Sequence, residues 1–432
     1  MFQRLHQPLC YIVIGVSCLF SALSDASTQY LSADAYIDVE NGVRVENPLV
    51  TIEAGQITKV STDSQPPPNA NVIKLSGYTL LPGLMDMHVH LTGNADDHGY
   101  KSLAISLPRA TINGVNNARK TVMAGFTTVR NVGADGYADV ALKDAIDAGD
   151  IVGPRLFVAG HSIGVTGGHC DNNLLPSDYA ATGGGVADGP WAVRAKVREN
   201  IKYGANVTKI CATGGVLSKG TKVGVQQLTL AEMQAIVEES HMRGLTVAAH
   251  AHGTEGIYNA IKAGVDSVEH VSFLNDESIE LAKQNGTVFS MDIYVTEYIL
   301  GEGEKAGILE ESLAKERTVG KRQRENFRKA VEAGVKMVFG TDAGVYPHGD
   351  NAMQFARMVQ FGMTPMQAIQ AATINAAALL NQSETLGSIS AGKHADIIAV
   401  KGDPLSDISL LESVGFVMQS GKILKHSDSP DQ

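Results

Sequence analysis

Aromatic side chains make up only 6 % of this 432-residue chain, and it has only four cysteines. Cys10 and Cys18 fall in an apolar leader. That leaves Cys170 and Cys211, too few for a disulfide framework, although one bridge between them stays open. Positive charge is also in deficit. The formal net charge is -11, and it is unchanged when Arg4 and Asp25 leave with the leader. This balance excludes wholesale attraction to nucleic acid or to anionic lipid. Past the leader, no hydrophobic run is long enough to span a bilayer. No glycine-rich dinucleotide fingerprint follows the first strand of the central region, which weakens a doubly wound open sheet. No solenoid-type repeat is present either.

What the chain does have is glycine, 45 residues of it. That favours short strands and turns over a helical bundle. The start reads as an address: Arg4 in a short polar region, an apolar stretch from Leu9 to Leu23, then Ser24-Asp25-Ala26. This predicts a secretory signal peptide over residues 1–26 and a secreted or periplasmic mature protein. Residues 27–82 are β-prone pieces separated by Asn41-Gly42, Ala54-Gly55 and Pro66-Pro67-Pro68. The same texture returns over 384–432, so both ends are expected to build one small β-sandwich domain.

The middle, 83–383, alternates. Apolar runs near 84–91, 126–132, 155–160, 207–213, 246–252, 267–271, 287–295 and 336–342 read as strands. Helical stretches lie between them: Pro190 to Tyr203, Thr229 to Met242 with a capping box to Glu232, Asp276 to Gln284, and Pro365 to Leu380. Eight strands with intervening helices predict a TIM-type (β/α)8 barrel, whose chemistry belongs at the C-terminal ends of the strands. The charged run Lys315 to Lys329 reads as a solvated helix face.

The strand ends carry unusual residues. His88 and His90 stand two apart at the end of the first barrel strand, on one face. The fifth ends with His250 and His252, the sixth with His270, the eighth with Asp342. The fourth carries Lys209 within Val-Thr-Lys-Ile-Cys-Ala. Taken alone, that lysine reads as one whose head snorkels to solvent. Imidazoles and a carboxylate converging on the same rim instead predict a metal site.

These motifs resemble the metal-dependent amidohydrolase superfamily. The resemblance rests on Pro-Gly-Leu-Met-Asp-Met-His-Val-His, the strand-four lysine, the histidines of strands five and six, and Gly-Thr-Asp on strand eight. It continues through Gly-Ser-Ile-Ser-Ala-Gly-Lys-His-Ala-Asp-Ile-Ile-Ala-Val at 387–400 and covers nearly all of 30–425. Lys-Ile-Cys-Ala-Thr-Gly-Gly-Val and Ala-His-Ala-His-Gly-Thr-Glu-Gly-Ile are similar to the branch of Xaa-Pro dipeptidases, related carboxypeptidases and ochratoxin-hydrolysing amidases.

The resemblance implies two divalent metals, zinc being the first choice, with manganese, cobalt and iron left open. It implies that His88, His90 and Asp342 bind one metal and His250 and His270 the other. Lys209 would bridge them as N6-carboxylysine. Asp342 would also be catalytic, moving a proton from a metal-bridging hydroxide's parent water to the leaving nitrogen. The implied substrate is a small-molecule amide or dipeptide, cut at a linear amide bond, and the implied assembly is a homo-oligomer. His161, His252 and Tyr294 are expected to bind substrate, with His169, Tyr346 and His348 as further rim residues. A cyclic-amide hydrolase or deaminase of the same superfamily is the alternative, and a non-catalytic scaffold a third. A mononuclear deaminase has no need of Lys209, and a decayed scaffold would lack ligands.

Overall fold

Strands dominate both ends of the described chain, which in this computed structural model covers residues 28–427. The expected leader over 1–26 lies outside the described residues. Five strands come first: β1 (Gln29–Asp38), β2 (Val43–Glu46), β3 (Pro48–Glu53), β4 (Gln56–Thr62) and β5 (Asn71–Pro82). Eight short ones follow: β6 (Leu84–Val89), β7 (Phe126–Asn131), β8 (Arg155–Val158), β9 (Thr208–Cys211), β10 (Val247–Ala251), β11 (Ser267–His270), β12 (Val288–Ser290) and β13 (Met337–Val338). The chain closes with β14 (Ile397–Lys401), β15 (Phe416–Gln419) and β16 (Lys422–His426).

The first five and last three strands make one mixed sheet, ordered β16-β15-β14-β5-β1-β3-β4 with β2 paired to β1. β14 returns antiparallel onto β5, so the two ends of the chain share the sheet. Leu31, Val50, Ile57, Leu80, Ile397 and Phe416 pack together as its own apolar cluster.

β6 to β13 form two parallel arcs, β6-β7-β8 and β9-β10-β11-β12-β13. Backbone hydrogen bonds link them at both ends. Ile163 N–H donates to Lys209 O at 2.8 Å and Cys211 N–H to Ile163 O at 2.9 Å. At the other seam Met87 N–H donates to Phe339 O and Asp342 N–H to His88 O, each at 2.8 Å. All residues of β6, β7, β9, β10, β11 and β12 are buried. Helices cover such parallel strands, so they read as continuous apolar runs.

Those helices are α1 (Leu107–Met123), α2 (Ala138–Ala148), α3 (Pro190–Lys202), α4 (Leu230–His241), α5 (Thr254–Ala263), α6 (Asp276–Asn285), α7 (Val295–Gly301), α8 (Gly303–Ala306), α9 (Glu310–Glu332), α10 (Met353–Gln360), α11 (Pro365–Ala371) and α12 (Ile374–Leu379). The capping box on α4 forms as expected: Glu232 N–H donates to Thr229 Oγ1 and Thr229 N–H to the Glu232 carboxylate. Among the described residues no helix is long and apolar enough to cross a membrane.

One helix departs from expectation. Pro365 to Leu380 was read as continuous, but it breaks between α11 and α12, with Thr373 at φ -136° and ψ -96°. The parallel strands account for the break. Met85 N–H donates to Ala372 O at 2.8 Å and Phe339 N–H to Ala371 O at 3.0 Å. These carbonyls serve strand amides, so a straight helix is not their best arrangement.

Asp396 ties the mixed sheet to the parallel strands. Its carboxylate accepts from Arg155 Nη1 at 2.6 Å and from Ser420 N–H at 2.8 Å, and it is only 6 % exposed. Asp396→Ala removes both bonds and leaves the partly buried Arg155 guanidinium without its carboxylate. It is expected to lower the urea midpoint by the equivalent of about 2 kcal/mol; an unchanged midpoint would show that the tie is incidental.

Candidate metal centre

The unusual residues converge. His88 lies on β6, Lys209 on β9, His250 on β10 and His270 at the end of β11. His90, His252 and Asp342 follow their strands by one to four residues. All seven line one cavity of about 290 Å³. Donor atoms of His88, His90 and Asp342 lie within 4.8 Å of one another, and so do those of His250, His252 and His270. Asp342 Oδ1 stands 3.4 Å from Nε2 of both His88 and His90.

Hydrogen bonds fix how the rings face. His90 Nδ1 is 3.2 Å from Gly133 O, which can only accept, so Nδ1 carries the proton and Nε2 is free. His88 Nδ1 meets Glu269 Oε2 at 3.0 Å, and His270 Nδ1 meets Asp292 Oδ1 at 2.9 Å. Carboxylates behind imidazoles orient them and raise their basicity as ligands. Glu269 is itself held by Arg130 at 2.8 Å, and both are fully buried. Asp292 also accepts from Gln323 Nε2 at 2.7 Å. Asp86 accepts from Thr341 Oγ1 at 2.6 Å and Asn351 Nδ2 at 2.8 Å, which fixes the segment carrying Asp342.

The backbone is bent to serve the site. His270 and Asp342 have φ values of 71° and 59°, left-handed positions that non-glycine residues seldom adopt. Gly340 is required nearby, because a Cβ there would overlap Ser290 Oγ and stand 3.1 Å from His88 Cβ.

Among the residues lining this cavity, two buried nitrogens have no hydrogen-bond partner, Lys209 Nζ and His250 Nε2. Lys209 is 3 % exposed. Burial pulls its amine down to about 8, against the opposing pull of Glu269, Asp342 and Asp292. Unpartnered donors and acceptors of this kind fit a set of metal ligands, which need bare lone pairs.

His252 also lines the cavity. Its Nδ1 bonds Ser272 Oγ at 2.7 Å and its ring stacks on His270 at 4.7 Å. His161 lies instead in an adjoining cavity of about 380 Å³ that shares His90, Gly93, Ser162 and Cys170 with the first. Its ring packs edge-on against Tyr137 at 4.6 Å. Tyr294 is not brought to the cavity wall. It packs against Tyr346 at 5.1 Å and under Arg357, because β12 ends at Ser290 and the chain has already turned into α7. Tyr346 is fully buried, and His348 bonds His90 O at 3.1 Å from behind.

Sequence reasoning passed over Glu269, Asp292 and Arg130, and placed His169 among the further rim residues. His169 stacks flat on His250 at 4.0 Å and bonds Ser218. The usable signal for the first three was the one that marked Lys209, a charge inside a buried apolar run.

Two outcomes follow from this geometry. Glu269→Gln keeps the shape but not the charge behind His88, and should weaken metal binding about 10- to 100-fold. Competition with a chromophoric chelator measures this, and unaltered affinity would remove the orienting role. The second concerns pH. Burial first, then neighbouring positive groups, hold His88, His250 and His252 well below the usual 6.5. The unfolded chain then takes up protons first as pH falls. Their contribution to the stability of the metal-free protein is therefore fully present above pH 6.5 and should drop as pH falls below it. Urea titrations of chelator-treated protein across that window test the sign.

The profile of the amidohydrolase family matches residues 79–424. Ochratoxinase from Aspergillus niger is 35 % identical over 370 residues, covering 80 % of this chain and 75 % of that protein. A crystal structure of a Xaa-Pro dipeptidase with methionine bound in its active site superposes with a TM-score of 0.88 at 39 % identity, covering 92 % of this chain and all of the other. A prolidase complexed with N-methylphosphonate-L-proline gives a TM-score of 0.85 at 30 % identity over 93 % of this chain and all of the other. The chain belongs to the amidohydrolase family of metal-dependent enzymes, in the branch of these relatives, and is a hydrolase of amide bonds.

Proposed function

We propose that this enzyme cleaves the linear amide bond of an N-acyl amino acid or a dipeptide, of the ochratoxin A or Xaa-Pro type, using two divalent metals. The observation that carries the reading is Lys209: a buried amine without a hydrogen-bond partner, among two clusters of potential ligands and beside His250, whose Nε2 is also unpartnered. In this reading His88, His90 and Asp342 hold one ion and His250 and His270 the other, with zinc the first choice from the donor set.

Lys209, as a carbamate, would help hold both ions. Its neutral amine attacks the carbon of CO2, an N–C bond forms, an oxygen takes the displaced electron pair, and nitrogen releases a proton to solvent. A misplaced cation becomes an anion. The lowered amine pKa supports this, because carbamate formation needs the free base.

When bound, the metals supply an acidified water and a Lewis acid for the substrate carbonyl. Asp342, pushed up to about 7 by burial, is suited to take a proton from the water side and return it to the leaving nitrogen. His252 faces the substrate from the cavity wall and His161 from the adjoining one. The two cavities, about 290 and 380 Å³, suit a dipeptide-sized molecule.

We further infer a closed (β/α)8 barrel over 83–383 and a small β-sandwich domain from 27–82 and 384–432. The hydrogen bonds at both seams and the shared cluster of the mixed sheet support this. Export of the mature enzyme is part of the proposal, supported by the leader sequence and by a disulfide described below. So is a homo-oligomer, for which exposed Leu103, Leu107 and Ile112 offer apolar surface.

Metal-loaded enzyme should be screened against N-acyl amino acids, Xaa-Pro dipeptides, cyclic ureas and aminated bases. Turnover of linear amides is expected. Turnover confined to the cyclic or aminated compounds would overturn the substrate class. Lys209→Ala should lose on the order of 10³-fold in kcat/KM, and full activity in that variant would sink the bridging role.

A further inference from the structure

Cys170 and Cys211 are joined by a disulfide, with their Cα atoms 6.1 Å apart. Its position is unusual for a purely structural link. Cys211 ends β9, two residues after Lys209, so the two side chains share a face of the strand. Both cysteines line the metal cavity. Cys170 also lines the cavity of His161 and a third one of about 540 Å³. Among the lining residues of these three cavities, Cys170 alone is common to all of them.

The loop that carries Cys170 is knitted mostly to itself. Asp171 accepts from the Gly167 and Gly183 amides at 2.8 and 2.7 Å, and Asn173 Nδ2 donates to Gly168 O at 2.8 Å. Its ties to the parallel strands near the site are few: the Ile163–Ile210 bridge, the contacts of His169, and the disulfide. The crosslink packs over Gly164, where an added Cβ would stand 2.9 Å from Cys170 Cβ and 3.7 Å from Cys211 Cβ. His169, adjacent to Cys170, lies flat against His250.

We propose that the Cys170–Cys211 disulfide is a positioning element for substrate. It clamps loop 164–187 over the metal centre, keeps His169 on His250 and partitions the three cavities. Breaking it leaves the metal ligands in place on their strands but loosens the substrate-facing wall. The inference rests on the proposed amide substrate only for its kinetic readout. Fixing a loop in its binding conformation raises affinity by lowering the ordering cost.

The test compares oxidised enzyme, enzyme reduced by a trialkylphosphine, and the Cys170→Ser/Cys211→Ser variant. In the reduction, phosphorus attacks one sulfur and the S–S bond breaks. Water then gives its oxygen to phosphorus, leaving a phosphine oxide and two thiols. Metal content, hydrogen exchange of 164–187 and the kinetics of the best amide substrate are measured on each. Expected are unchanged metal content, faster exchange confined to the loop, KM raised about tenfold and kcat within about twofold. Reductant should have no effect on the double variant. Peptide mapping that finds Cys170 and Cys211 as free thiols in the oxidised enzyme would overturn the proposal. Loss of metal on reduction, or unaltered KM and loop exchange with only a lowered Tm, would do so too. If no amide is turned over at all, the functional reading fails by itself. Loop exchange and metal content then decide this inference alone. Reduction of the folded wild type keeps the test open should the double variant misfold.

Discussion

A buried amine with nothing to bond is the constraint around which this protein is arranged. Lys209 stands on β9 with its Nζ sealed from solvent and without a partner. Burial disfavours an ammonium there and lowers the amine to about 8. Three carboxylates, Glu269, Asp342 and Asp292, pull it toward the charged form while burial pulls harder the other way. None of the three bonds it directly. Glu269 is engaged with Arg130 and His88, Asp292 with His270 and Gln323, and Asp342 faces His88 and His90. Each carboxylate already serves an imidazole, so the amine is left for something outside the chain's own inventory of partners.

The same economy explains why the site lies at strand ends. Parallel strands buried on both faces admit apolar side chains along their length and polar ones chiefly where the strand stops. There the backbone also becomes free to deviate, and His270 and Asp342 use that freedom, adopting left-handed conformations that a regular strand forbids. Such strain persists only where the surroundings over-determine it. Here they do, through the Asp86–Thr341–Asn351 bonds behind Asp342 and the Asp292–Gln323 bonds behind His270.

How much of this was legible depended on how local its cause was. All eight parallel strands lie inside the expected apolar runs, because burial on both faces writes itself directly into composition. The seven cavity residues from His88 to Asp342 were visible because a histidine or lysine in such a run contradicts its neighbours. Glu269 and Asp292 carried the same contradiction and were overlooked, being masked by adjacent His270 and by the irregular end of β12. The break before α12 was not legible. Its cause is a pair of strand amides nearly 300 and about 30 residues away in sequence, Met85 and Phe339, which claim the carbonyls of Ala372 and Ala371. Nor did spacing reveal that Tyr294 would turn away from the cavity, since β12 is only three residues long.

The proposed ligand set and the proposed substrate wall thus rest on different kinds of support. The proposed metal-facing residues are held by strands, buried carboxylates and backbone hydrogen bonds reaching across the parallel arcs. The wall is held by a loop bonded mainly to itself and fastened near the centre by few contacts. A covalent fastening at that point has an effect that a hydrogen bond lacks. It removes the loop's freedom to lift without placing another polar group beside the proposed metal centre, where a further donor or acceptor would compete for the same lone pairs. Sulfur is weakly polar and fills space. A disulfide is therefore one of few ways to close a wall tightly against a metal centre without becoming part of it.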